Sequence, residues 1–188
     1  MENEDISKSK ATAIATAEKI IAQLPDDLKK REAGLFFTFL DNNAPPLAKL
    51  QALYDFADEL YRFIGKFVPC KKGCSHCCHI PVDVSDLEME LIKRHVKIRK
   101  AKPPVPTPKS GTPCPFLRKG TCTIYQVRPY FCRTHVNLDS TPEWCRVEKT
   151  HNIKLQKISF SEVRRVYDYL INQNGGIDTI RDIRGYSR

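Results

Sequence analysis

Eight cysteines fall between Cys70 and Cys145, and four of them crowd into nine residues as Cys70-x3-Cys74-x2-Cys77-Cys78. One or two free cysteines in a domain behave as small buried apolar groups. Four thiols held at contact distance must oxidise, repel as thiolates or share a cation, and sharing a cation stabilises all of them together. The remaining four are Cys114, Cys122, Cys132 and Cys145. Ten of the thirteen prolines lie in the same part of the chain, from Pro69 to Pro142. Long regular elements cannot run through it, so cross-linking must replace a continuous core there. At 188 residues the chain suits one domain, or one domain with an appendage, and buries enough surface that the fold as a whole needs no staple.

Compartment decides between disulfides and metal. The first residues, Met-Glu-Asn-Glu-Asp, are acidic where a secretory signal is basic, no apolar segment follows, and no run approaches the roughly 20 residues of a membrane span. The expected location is the cytoplasm, where thiols stay reduced and clustered cysteines bind metal. No membrane association is expected.

The net charge of +9 is uneven: residues 1–60 carry 7 Lys/Arg against 11 Asp/Glu, and residues 61–188 carry 24 against 11. A basic half invites a nucleic-acid reading. Yet a four-thiolate zinc site is itself −2, so part of the excess balances the cluster, and the rest reads as solvated surface.

Periodicity predicts a mainly α protein, a small helical bundle packed on an irregular, cysteine-rich segment with little β structure. The expected divisions are a helical region at 1–66, the metal-binding region at 67–150, and a C-terminal helix and tail at 151–188 packing on the same domain. After a frayed stretch at 1–10, Ile14, Ala17, Ile20, Ile21 and Leu24 mark one helix face. A second helix spans about 27–40, with Leu28, Leu35, Phe36 and Phe39 inward. The third is the clearest, because Leu50, Leu53, Tyr54, Ala57, Leu60, Tyr61 and Ile64 follow helical spacing without a break. Ser85-x2-Glu88 is a capping box opening a helix to about residue 99, with Leu87, Leu91, Ile92 and His95 inward. Residues 102–113, with five prolines, read as an extended connector. A turn at 118–120 predicts a small hairpin, and Pro129 precedes a short helix carrying Tyr130 to Arg133. A last helix holds Phe160, Val163, Val166, Tyr167, Leu170 and Ile171, stops at Asn174-Gly175-Gly176, and leaves a loosely held tail.

Zinc takes thiolate and imidazole ligands in fours, and iron–sulfur clusters also favour four thiolates. Cys74 and Cys77 have the spacing that lets two sulfurs meet one ion, and Cys70 lies one helical turn before Cys74. Cys77 and Cys78, as sequence neighbours, point apart and seldom serve one mononuclear ion together. Two four-sulfur sites, or one cluster with spare cysteines, both fit eight thiols. His76, His79 and His135 lie close by, but the thiols already suffice. Arg128 and Arg133 have two readings: donors to thiolates or, for Arg133 equally, a surface ion pair. Tyr125 and Phe116 read as packing.

The run Cys70-x3-Cys-x2-Cys-Cys78, then Pro81-Val, then Cys114-Pro-Phe-Leu-x2-Gly120-x-Cys122-x-Ile-Tyr125-x2-Arg-Pro129-x2-Cys132-Arg133, resembles the YkgJ-like CxxCxxCC family of zinc- or iron-chelating proteins. Flagellin lysine N-methylases carry a similar cysteine signature. The first gap here has three residues where the family name has two. The resemblance implies that Cys74, Cys77, Cys78, Cys114, Cys122 and Cys132 are ligands, with Cys70 and Cys145 next, and that the cofactor is zinc or iron, including an iron–sulfur cluster.

Three functions follow as expectations. The first is a metal-binding protein with a structural or accessory role. The second is an iron–sulfur-dependent enzyme related to protein lysine N-methylases, although no S-adenosylmethionine motif is recognisable. The third and weakest is a basic zinc module on nucleic acid, whose basic residues follow no recognition pattern. No phosphate loop, dinucleotide fingerprint or zinc-protease signature is present.

Overall fold

A computed structural model describes residues 2–71, 73–100, 111–150 and 156–187. Its elements are α1 (Glu2–Gln23), α2 (Asp26–Leu40), α3 (Pro46–Ile64), β1 (Asp83–Val84), α4 (Asp86–His95), β2 (Arg99–Lys100), β3 (Leu117–Arg118), β4 (Thr121–Cys122), α5 (Tyr130–Thr134), α6 (Val147–Thr150), α7 (Ser161–Gln173), β5 (Arg181–Asp182) and β6 (Tyr186–Ser187). The fold is mainly helical, and its strands form three two-residue antiparallel ladders, β1·β5, β2·β6 and β3·β4.

The apolar stripe of α3 makes it the central helix. Leu50, Leu53, Tyr54, Phe56, Ala57, Leu60, Tyr61 and Ile64 are all buried, each contributing on the order of 1.5–3 kcal/mol where a large side chain leaves water. α3 packs against α4, α5 and α7, and α2 packs against α7. Pro45 and Pro46 set its start, since a helix's first turn has no use for the missing N–H.

The capping box forms as expected. Ser85 Oγ accepts from the Glu88 N–H, and Glu88 Oε2 accepts from the Ser85 N–H at 2.8 Å. Glu88 is also almost fully buried, and its carboxyl group accepts from Tyr54 Oη at 2.7 Å, the Tyr130 N–H at 2.8 Å and Tyr167 Oη at 2.9 Å. One side chain thus ties α3, α4, α5 and α7 together. In β3–β4 the turn residues Lys119 and Gly120 have φ of 48° and 72°, the left-handed pair that a two-residue hairpin requires.

Four expectations are corrected. Residues 2–10 are helical rather than frayed, anchored where Ser9 Oγ donates to Asp139 Oδ2. The buried face of α1 runs through Ser9, Ala13, Ile20 and Leu24, so Ile14 and Ile21 point outward. α4 ends at His95, which is exposed with Nδ1 donating to the Leu91 carbonyl at 2.9 Å. Val96 turns extended there, and the chain goes on to pair β2 with β6. The tail is held: Val84 pairs with Arg181, the Ile183 N–H donates to the Val82 carbonyl at 2.9 Å, and Ile183 and Tyr186 are buried. Most of the proline-rich connector, 101–110, lies outside the described residues.

Candidate metal centre

The first cysteine run reaches a single turn of tight helix, His76–His79, preceded by a turn in which the Cys74 N–H donates to the Lys71 carbonyl at 3.0 Å. Three residues per turn would send neighbouring side chains about 120° apart, yet the Cys77 and Cys78 side chains hydrogen-bond to one another, against the expectation that they point apart. The second group is stitched to the first through the backbone, where the Cys114 N–H donates to the Cys78 carbonyl at 2.7 Å. The hairpin then sets Cys122 opposite Leu117, and α5 supplies Cys132. A second tight turn, Pro142–Cys145, packs against His76–His79 and brings in Cys145.

All eight cysteines carry free thiols; Cys145 is buried and the others partly so. Six of them, Cys74, Cys77, Cys78, Cys114, Cys122 and Cys132, line one cavity of about 910 Å³.

Electrostatics sort the sulfurs. Burial pushes the Cys132 thiol up, and the neighbouring sulfurs of Cys77, Cys114 and Cys122 push further. Burial lifts Cys114 to about 11, with Cys122, Asp182 and Cys77 adding to it. Cys122 is raised by burial and by Cys77. Cys145 is raised to about 12 by burial and then by Cys70, Cys77 and Cys74. Cys70 is raised by burial, against the Asn137 N–H that donates to its sulfur at 3.4 Å. Cys77 neighbours both groups and moves the other way, down to about 7, chiefly because Cys78 donates to it, with the Arg128 charge adding. The Cys78 thiol rises correspondingly.

The two arginines share Asp58, with an Arg128 terminal nitrogen 4.0 Å from it, and otherwise differ. Arg128 lies with its guanidinium 4.1 Å over Tyr125, its charge favours the Cys77, Cys122 and Cys132 thiolates, and its buried Nε has no hydrogen-bond partner. Arg133 is neither a surface residue nor a thiol donor: it is almost fully buried, pairs with Asp58, donates to the Arg128 and Gln126 carbonyls, and stacks 4.0 Å from Tyr54. Its work is to hold α5, and with it Cys132, on α3. Sequence spacing gave no sign of the Asp58 and Tyr54 partners that reveal this. His135 lines the cavity, and burial followed by the Lys157 charge lowers its pKa, which favours a neutral ring. Tyr125, expected as packing, is more than half exposed; Phe116 is fully buried.

A thiol-rich donor set beside a buried, unpartnered arginine N–H suits a bound cation with thiolate ligands. Among the described residues, no three Cys, His, Asp or Glu side chains are grouped closely enough to hold an ion as they stand. Coordination would therefore draw the sulfurs inward. No helix among the described residues is long and apolar enough to cross a membrane.

No curated protein and no solved structure gives a significant match to the chain. Residues 69–158, the stretch that carries all eight cysteines, match the family model CxxCxxCC, described as a putative zinc- or iron-chelating domain.

Proposed function

We propose that this protein chelates zinc or iron through its clustered cysteines, in a compartment that keeps them reduced, and that the metal orders the proline-rich middle of the chain. The observation that carries the reading is the gathering of six sulfurs, distant in sequence, on one cavity. Cys77, Cys78, Cys114, Cys122 and Cys132 would furnish the main centre. Cys70, Cys74 and Cys145, where the sulfurs acting on Cys70 and Cys145 come from this trio and Cys77, would furnish a second centre or stand in reserve. A metal bound here supplies positive charge that holds the thiols as thiolates. Arg128 would donate its free N–H to one of them, orienting the sulfur and offsetting its charge.

An iron–sulfur centre acting on a bound molecule is the second reading, favoured by a cavity much larger than an ion with ligand bonds of about 2.3 Å requires. Anaerobic purification with metal analysis and an absorption spectrum tests both. Stoichiometric zinc in a colourless protein supports the structural or accessory role, and a brown protein holding iron and acid-labile sulfide supports the second reading. Full-length, reduced protein that binds neither metal would overturn the proposal.

A further inference from the structure

The cavity is not made of sulfur alone. Away from the thiols its wall includes the aromatic and aliphatic side chains of Tyr61, Tyr130, Phe131, Ile158 and Ile183. At about 910 Å³ it falls within the roughly 300–1,000 Å³ of pockets that bury a small organic ligand. Such pockets combine an apolar lining with a few placed polar groups, and here, apart from the cysteines and His135, the ionisable ones are Lys71, Arg128, Lys157 and Arg164 against the single carboxylate of Asp83.

These cations do different things. Arg164 is engaged by Asp168, with Nε 2.7–2.8 Å from both carboxyl oxygens. Arg128 lies near the thiols, flattened on Tyr125, with a terminal nitrogen 4.0 Å from Asp58 and its buried Nε unpartnered. The Lys157 charge reaches His135, which also lines the cavity, and Lys157 is exposed, as is Lys71.

We propose that this cavity binds an organic anion with an apolar body, its charged group toward Arg128 and Lys157 and its body against Tyr61, Phe131 and Ile158. The inference deepens the metal-site reading, since the thiol wall would present its metal to such a ligand. The anion site itself consists of residues other than cysteine. A carboxylate and a phosphate share the required chemistry: both accept charge-assisted hydrogen bonds from guanidinium and ammonium groups.

The test titrates full-length protein of measured metal content with benzoate, phenyl phosphate and, as a cation of matched shape, benzylamine, followed by calorimetry or ligand-observed NMR. Saturable binding of at least one anion, with benzylamine much weaker, is expected, and the tighter anion identifies the class. Lys157→Gln, an exposed position that leaves the core untouched, is expected to weaken the anion about tenfold, the effect of losing one charge-assisted contact. Arg128→Lys, which keeps the charge but loses the planar fork, is expected to weaken it as well. Equal binding of benzylamine, or no binding of either anion, overturns the inference whatever the metal content. Reduced protein that takes up neither zinc nor iron yet still binds the anions removes the metal reading alone.

Discussion

Tyr54 in α3 donates its hydroxyl to Glu88 in α4 at 2.7 Å, while the Arg133 guanidinium lies 4.0 Å over the same ring. One residue therefore couples a buried carboxyl group to a buried cation without their touching. Glu88 accepts two further bonds from Tyr130 and Tyr167 and two from Ser85, so removing it strands donors on three helices. Glu88→Ala is expected to cost about 3 kcal/mol or more, read as a lowered denaturation midpoint, because buried donors left unpaired incur their full desolvation cost. A loss under about 1 kcal/mol, the effect of one ordinary hydrogen bond, would contradict the hub.

Arg133→Lys keeps the charge but cannot reproduce three directed contacts, to Asp58, Gln126 and Arg128. A loss of about 2 kcal/mol is expected in chemical denaturation, in the range for a buried charged hydrogen-bond partner. An unchanged midpoint would mean that the contacts to α3 are dispensable.

In metal-free protein Cys77 should be the most reactive thiol near neutrality. Its pKa is held down to about 7 by the Cys78 donor and then by Arg128, while burial lifts Cys114 to about 11 and Cys145 to about 12. A thiol with a depressed pKa contributes stability that is present above its unfolded value and lost as pH falls through about 7. The thiolate alkylates, so labelling of Cys77 should rise through that pH and move upward in Arg128→Gln. Mass mapping reads both, and uniform labelling of the eight cysteines at neutral pH would sink the assignment.

Metal removal should loosen the middle of the chain and spare α3. Chelation is expected to cut hydrogen-exchange protection in residues 70–145 while leaving 50–64 protected, since structural metal binding doubles as folding energy. Affinity should fall as pH drops, because protons compete for the raised thiols. Unchanged exchange in the cysteine segment after complete removal would contradict a folding role for the metal.

Ile183→Ala empties a fully buried site, and a cost of about 2–5 kcal/mol is expected from lost transfer energy and the cavity left behind. Thermal melting measures it. A shift within error would show that the C-terminal segment contributes little.

Where the sequence was legible, one local rule governed. The stripe of α3, the Ser85–Glu88 box and the Lys119-Gly120 turn are each specified by residues within a few positions, and all three form. The α1 face was misread because Ile14 and Ile21 are more apolar than Ala13 and Ser9, yet the anchor that orients the helix is Asp139, 130 residues away from Ser9. The tail gave no periodic signal, since two-residue strands paired with distant partners carry none. In the site, cysteine spacing pointed to convergence. The division of labour between Arg128 and Arg133 depended on Asp58 and Tyr54, which approach from α3.

Ile183 stands in the wall of the sulfur cavity, and the Asp182 charge reaches the Cys114 thiol. In vectorial synthesis every cysteine emerges before either residue does. The segment that completes this part of the cavity wall is therefore the last of it to be made, after all the sulfurs it faces.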